Sequence, residues 1–401
     1  MTTTTSKTTA LSLTRVLLAG GMIVTLAMGI RHGFGLFNLP VTQANGWGRE
    51  TFALAIALQN LVWGMTQPIF GGLADRFGGY KVIFLGGILY TLGLIGSGLS
   101  TTSVGFGVIG RNCPPEKRVW AMGIAAAMGS FGQFLMIPVE QELLTNFGIQ
   151  NALLILAIMT SFMIPFSFIL REKNYQSAQT GSDQTITQAI KEAFGQRSFQ
   201  LLIIGYFVCG FQVVFIGAHL APYLKDMSAS YPDVGRPEVA TIALALVGLF
   251  NIFGTYYAGK LGQKLPKHLL LAFIYGSRSL VMAAFILLPL SPMTAYLFAA
   301  FMGFLWLSTV PLTNGIVAHI FGVKYLSMLS GFAFFSHQIG GFMGAYLGGY
   351  LFDITGSYNI VWIIAISLSV VAALVNLPIK EKELVRTPQG SVTTASSMRL
   401  R

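Results

Sequence analysis

Apolar runs of about twenty residues follow one another along almost the whole chain, and no other feature constrains its folding as much. A run of that length crosses the hydrocarbon core of a bilayer as a helix. In lipid only helices and closed barrels satisfy every backbone N–H and C=O group. The runs fall at residues 16–41, 51–74, 82–99, 119–141, 151–170, 199–224, 240–261, 269–290, 294–316, 326–352 and 360–377, which predicts an all-α polytopic membrane protein with eleven clear spans. Charge content agrees. Only 10% of the 401 residues are charged and the mean hydropathy is +0.67, whereas a water-facing surface needs about 25%. The net charge of +11 does not point to nucleic acid, because the lysines and arginines lie scattered in short loops rather than in a patch.

The longest hydrophilic connection, residues 171–198, divides the chain into bundles at 16–170 and 199–380. A short surface helix is expected near 186–194. Residues 1–15 are Thr-rich without an apolar core, so they read as a disordered tail and not a cleavable signal; 381–401 read as a second disordered tail. Cys113 and Cys209 give no disulfide framework. Arg171, Lys173, Lys191, Arg197, Lys260, Lys264, Lys267 and Lys324 fall on one side of the predicted topology. That bias places both termini in the cytoplasm and the protein in the cytoplasmic membrane.

The two halves repeat one another. The Ala258–Lys264 stretch occupies the place of Gly71–Lys81, and Lys324-Tyr325 that of Lys117-Arg118. Arg76 lies 41 positions before Lys117, but Lys264 lies 60 before Lys324. The first half is therefore short by about one span. This predicts two pseudo-symmetric six-helix bundles with the fourth transmembrane helix largely missing near 100–111. A short re-entrant piece there is the alternative.

Ionisable groups deep in spans are costly and therefore functional candidates. Arg31 and His32 lie mid-span in the first run; a planar guanidinium there suits a carboxylate. An internal ion pair is the competing role, weakened because Glu140, Glu142 and Asp353 all sit near predicted span ends. Arg278 is as deep and could contact substrate or serve a structural role, bonding backbone carbonyls or Ser277. His219 and His337 could carry a proton or simply bond a neighbouring helix. Gln338, Asn60, Gln133, Gln212 and Asn251, with Gln59 and Asn314, supply amides that bind solute or hold helices together. There is no phosphate-binding Gly-x-x-x-x-Gly-Lys loop and no metal motif, so neither a cofactor nor an enzyme activity is expected.

Gly71, Asp75, Arg76, Gly78 and Lys81 form a Gly-x-x-x-Asp-Arg-x-Gly loop between the second and third spans. It resembles the signature gating loop of the major facilitator superfamily. The Pro114–Gly123 stretch, Gly322–Leu326, and the Asp-x-Thr-Gly-x-Tyr ending at Asp353–Tyr358 resemble the monocarboxylate transporter and oxalate/formate exchanger branch. The resemblance covers about residues 17–379. It implies a secondary carrier, monomeric, that moves a small organic anion by alternating access, with a coupled proton or exchanged anion. That family's eighth helix often carries an Asp/Arg pair. Here the helix offers Asn251 and Tyr256-Tyr257, and Arg31 would supply the positive charge instead. A drug or metabolite efflux carrier of the same fold is the second reading; a non-transporting, shortened membrane protein is the third.

Overall fold

The computed structural model describes residues 13–77, 79–96, 118–170, 184–386 and 392–394. The expected remnant of the fourth span at 100–111, Gly78, Cys113, most of the central connection and most of both tails lie outside the described residues, as do the side chains of Asp75 and Arg76.

The apolar runs that are described are helical. In the first half these are α1 (Leu13–Gly33), a 3-10 turn (Phe34–Phe37), α2 (Asn38–Asn45), α3 (Arg49–Phe77), α4 (Gly79–Gly96), α5 (Arg118–Ser161) and α6 (Met163–Ile169). The second half holds α7 (Ile186–Gly195), α8 (Arg197–Asp226), α9 (Pro237–Leu261), α10 (Lys267–Leu287), α11 (Pro292–Leu305), α12 (Thr309–Phe321), α13 (Leu326–Thr355) and α14 (Asn359–Asn376). Seven described segments are long and apolar enough to cross a bilayer, and α3 and α13, of 29 and 30 residues, match them in length. α5 carries two crossings. It reverses at Gly148, whose φ of 72° and ψ of 175° only a residue without Cβ adopts freely.

Local signals place the ends. Thr185 and Gln188 form a reciprocal capping box that starts the surface helix α7, and Ser291 and Thr294 do the same for α11, with Pro292 at its first position. The polar C-terminal segment is more ordered than its composition predicts. Strands β1 (Leu384–Arg386) and β2 (Val392–Thr394) pair antiparallel, and Leu384 is buried.

Within each half, α1 packs on α5 and α8 on α13; between halves, α3 runs along α13 and α5 along α9. Side chains on the outside are apolar, as lipid requires: Phe273, Leu280 and Leu287 of α10 are 69%, 72% and 79% exposed. Polar contacts concentrate at the two ends of the bundle. At the end that carries the central connection, Lys324 Nζ and Tyr325 Oη both donate to the Gln184 carbonyl, and Ser198 Oγ donates to the Lys380 carbonyl.

Candidate functional site

A central cavity lies between the halves, walled by α1, α3, α5, α8, α12 and α13. Of the residues singled out from sequence, Arg31, His32 and His337 line it, together with the amides Gln59 and Asn314. Arg31 is half-buried. Its guanidinium carbon sits 3.8 Å above the centre of the Trp63 ring, and its Nη2 donates to Asn60 Oδ1. Asn60 is fixed in turn by donating to the Ile56 carbonyl at 2.7 Å. The stacked ring and the amide thus hold a planar cation at the cavity wall. The His32 Nδ1–H donates to the Met28 carbonyl at 2.7 Å, which leaves Nε2 for other contacts. Trp63 meets Phe334 edge-on at 4.8 Å, and the His337 ring stacks on Phe334 at 5.3 Å and meets Tyr206 at 4.8 Å, with its Nδ1 3.0 Å from Gln338 Oε1.

The remaining candidates lie behind the wall and bind protein. Gln133 Nε2 donates to the Leu244 carbonyl, tying α5 to α9. His219 is buried; Nε2 donates to the Ala345 carbonyl and Nδ1 accepts from Tyr358 Oη. Gln212 donates to the Ala365 carbonyl and accepts from Arg278.

Arg278, weighed from sequence as a substrate contact or a structural residue, bonds the protein backbone. The run 294–316 does not form one helix. Pro311 has no N–H to give the Leu307 carbonyl, and its ring would crowd that carbonyl, so the helix breaks between Leu305 and Thr309. The break strands polar groups in the protein interior. Arg278 Nη2 donates to the Leu305 carbonyl at 2.8 Å and to that of Trp306, while Nη1 reaches Gln212 Oε1 at 3.1 Å. Asn251 Oδ1 accepts the Leu307 N–H at 2.9 Å. Both buried polar residues thus satisfy a helix interruption whose next residues, Leu307 and Val310, face the cavity.

At the end of the bundle away from the central connection, the halves are latched. Arg49, at the start of α3, forms two parallel hydrogen bonds to Asp226 at the end of α8, at 2.5 and 2.7 Å. The Asp353 carboxylate accepts the backbone N–H groups of Arg49 and Glu50, capping α3 from another helix. Arg49 Nη1 also donates to Tyr358 Oη, whose own proton goes to His219. Asp353 and Tyr358 are the polar ends of the Asp-x-Thr-Gly-x-Tyr motif, and both serve this latch. Of the signature loop, Gly71 is pressed against α13, where a Cβ would come within 2.7 Å of the Ser327 carbonyl oxygen. Lys81 is exposed on α4.

Sequence reasoning missed Trp63, Tyr206, Arg49 and Asp226, for which depth in a run gives no signal. It also misplaced Glu140. Helix α5 runs past the predicted span end at 141 to the Gly148 reversal, so Glu140 lies about two turns inside and is wholly buried.

Known proteins agree with this architecture. The chain is 25% identical to the uncharacterized MFS-type transporter YcxA of Bacillus subtilis (strain 168), over 90% of this chain and 94% of that one. It is 23% identical to monocarboxylate transporter 13 of Rattus norvegicus, over 85% and 82%. A bacterial homolog of the human lysosomal transporter Spinster, solved inward-facing and unoccupied, shares the fold with a TM-score of 0.62 at 16% identity, covering 92% of this chain and 98% of that one. The Major Facilitator Superfamily profile matches residues 16–345. The chain therefore belongs to the Major Facilitator Superfamily: it is an integral membrane protein and a secondary transporter, not an enzyme.

Proposed function

We propose that the protein carries a small, monocarboxylate-like organic anion across the cytoplasmic membrane by alternating access, as a monomer with both termini cytoplasmic. The observation that carries this reading is Arg31. Its guanidinium lines the cavity between the halves, aligned by Trp63 and Asn60. A planar cation in a water-poor cavity attracts a carboxylate strongly and meets it in two-point geometry. His32 and the amides Gln59 and Asn314 add polar groups to the lining, and the aromatic rings of Trp63, Phe334 and Tyr206 suit the apolar tail of such an anion. In this reading the Arg49–Asp226 pair closes the outer face, and rocking of the halves breaks it. A coupled proton or an exchanged anion would accompany the solute.

The test is uptake of labelled lactate and related monocarboxylates into proteoliposomes. Arg31→Ala is expected to lower uptake at least tenfold and Arg31→Lys to retain part of it. Uptake that Arg31→Ala leaves unchanged overturns the anion assignment. The largely apolar and aromatic lining supports a second reading, efflux of hydrophobic drugs or metabolites. Competition by neutral or cationic hydrophobic solutes, and not by carboxylates, would favour it.

A further inference from the structure

Glu140 takes no part in the contacts above. Its side chain is wholly buried, and neither carboxyl oxygen has a hydrogen-bond partner. It presses on the backbone of α1 at Gly33, where an added methyl would collide with both oxygens. Gly33 is also where α1 ends and the backbone tightens into the 3-10 turn Phe34–Phe37. Such a change of winding inside a span marks a place where the helix can hinge. The neighbours Arg31, His32, Phe34 and Gly35 all line the cavity. One helix backbone therefore separates the Glu140 carboxyl from the solute face.

Among the described residues, the other ionisable groups on the packed elements point elsewhere. On α1, Arg31 donates to Asn60 and His32 to the Met28 carbonyl. The 3-10 turn and α6 contain no ionisable residue. Glu238 on α9 and His319 on α12 are exposed. Tyr80 and Lys81 sit at the opposite end of α4, and Glu142 on α5 itself is exposed and accepts from Asn146. A carboxylate without a donor is several kcal/mol more costly to bury than a neutral acid. Packing of α1 on α5 and proton occupancy at Glu140 are thus linked, each favouring the other.

We propose that Glu140 is a proton-binding site that controls the docking of the first span on the fifth. With the proton bound, the helices meet at Gly33. When the proton passes to water entering the seam, the carboxylate hydrates and the contact opens. The segment beyond Gly33 then swings about the 3-10 turn and shifts Phe34 and Gly35 of the cavity lining beside Arg31 and His32. This inference is independent of which solute is carried.

Two measurements on the full-length protein in lipid bilayers, without solute, test it. Infrared difference spectra across about pH 5 to 9 are expected to show a carboxylic-acid C=O band that disappears in Glu140→Gln. Spin labels at Asn45→Cys and Asn146→Cys, on a Cys113→Ser background, report the α2–α5 separation. It is expected to lengthen by about 5 Å as pH rises, to stay short at every pH in Glu140→Gln, and to stay long in Gly33→Ala. A wild-type protein with no titrating acid band, or with an unchanging distance, overturns the proposal. So does a Glu140→Gln protein that keeps either response.

Discussion

Arg31 and Arg278 are alike in sequence: each is an arginine about mid-run with a glycine two residues before it. In space they differ completely. Arg31 is half-buried at the cavity wall, stacked on Trp63. Arg278 is wholly buried, and its two Nη groups donate to a side-chain amide and to two carbonyls freed where α11 gives way to α12. Charge in the hydrocarbon layer must be compensated; Arg278 draws that compensation from the protein's own backbone, and we propose that Arg31 also meets a guest. What separates the two is what each guanidinium reaches: carbonyls freed between α11 and α12 for Arg278, a ring and a side-chain amide at the cavity wall for Arg31. A broken helix creates acceptors inside the protein, and a cation that satisfies them has a structural duty.

The largest effect expected from this contrast is on stability. Arg278→Ala leaves two carbonyls and Gln212 without their donor, at a cost of about 3–5 kcal/mol, whereas Arg31→Ala gives up a ring contact and a bond to the Asn60 amide at the half-buried cavity wall, a smaller loss of about 1 kcal/mol. Thermal unfolding in one detergent compares them directly. Equal and small losses in both variants would break the distinction. A smaller effect concerns the latch. Arg49→Ala removes two charge-assisted hydrogen bonds worth about 1.5–3 kcal/mol to the closed end, so a cysteine at Ser330 in the cavity should react at least several-fold faster with an impermeant reagent added from that end. An unchanged rate would mean that the Arg49–Asp226 pair does not hold the halves together.

The smallest effect is at the opposite end. Glu381 accepts from the backbone N–H and ring of His268 and from Lys267 Nζ, pinning the segment after α14 to the start of α10. Burial by itself would raise this carboxyl, but those donors outweigh it and hold it below the ordinary value. A depressed carboxyl contributes stability fully present above its unfolded value of about 4.3 and lost as pH falls through the lower folded value. Hydrogen exchange of residues near 381 should therefore accelerate below about pH 4. In Glu381→Gln it should be faster already at neutral pH and vary less with acid.

Much of the architecture was legible because lipid leaves the chain few choices. Where the residues are described, each predicted run is helical, and the surface helix near 186–194 exists as α7. The site was legible only in part. Run position gives a residue's depth but not the face it presents, so depth alone did not separate Arg31 from Arg278, and Glu140 read as peripheral because α5 continues beyond its most apolar stretch. Pro311 was the one local clue to the break, since a proline at that spacing denies the Leu307 carbonyl its partner. The latch joins residues far apart in sequence, Arg49 with Asp226 and Tyr358, and no local pattern announces such pairs.

The central claim is that the Arg31 guanidinium is the binding group for an anion in the cavity. Carboxylate-induced thermal stabilisation of the purified protein measures it most directly, because a ligand that binds only the folded state raises the unfolding temperature by mass action. Wild type should be stabilised progressively by a small monocarboxylate, while Arg31→Ala unfolds near the wild-type temperature without ligand and shows no shift with it. A folded Arg31→Ala protein that is stabilised as much as wild type contradicts the account.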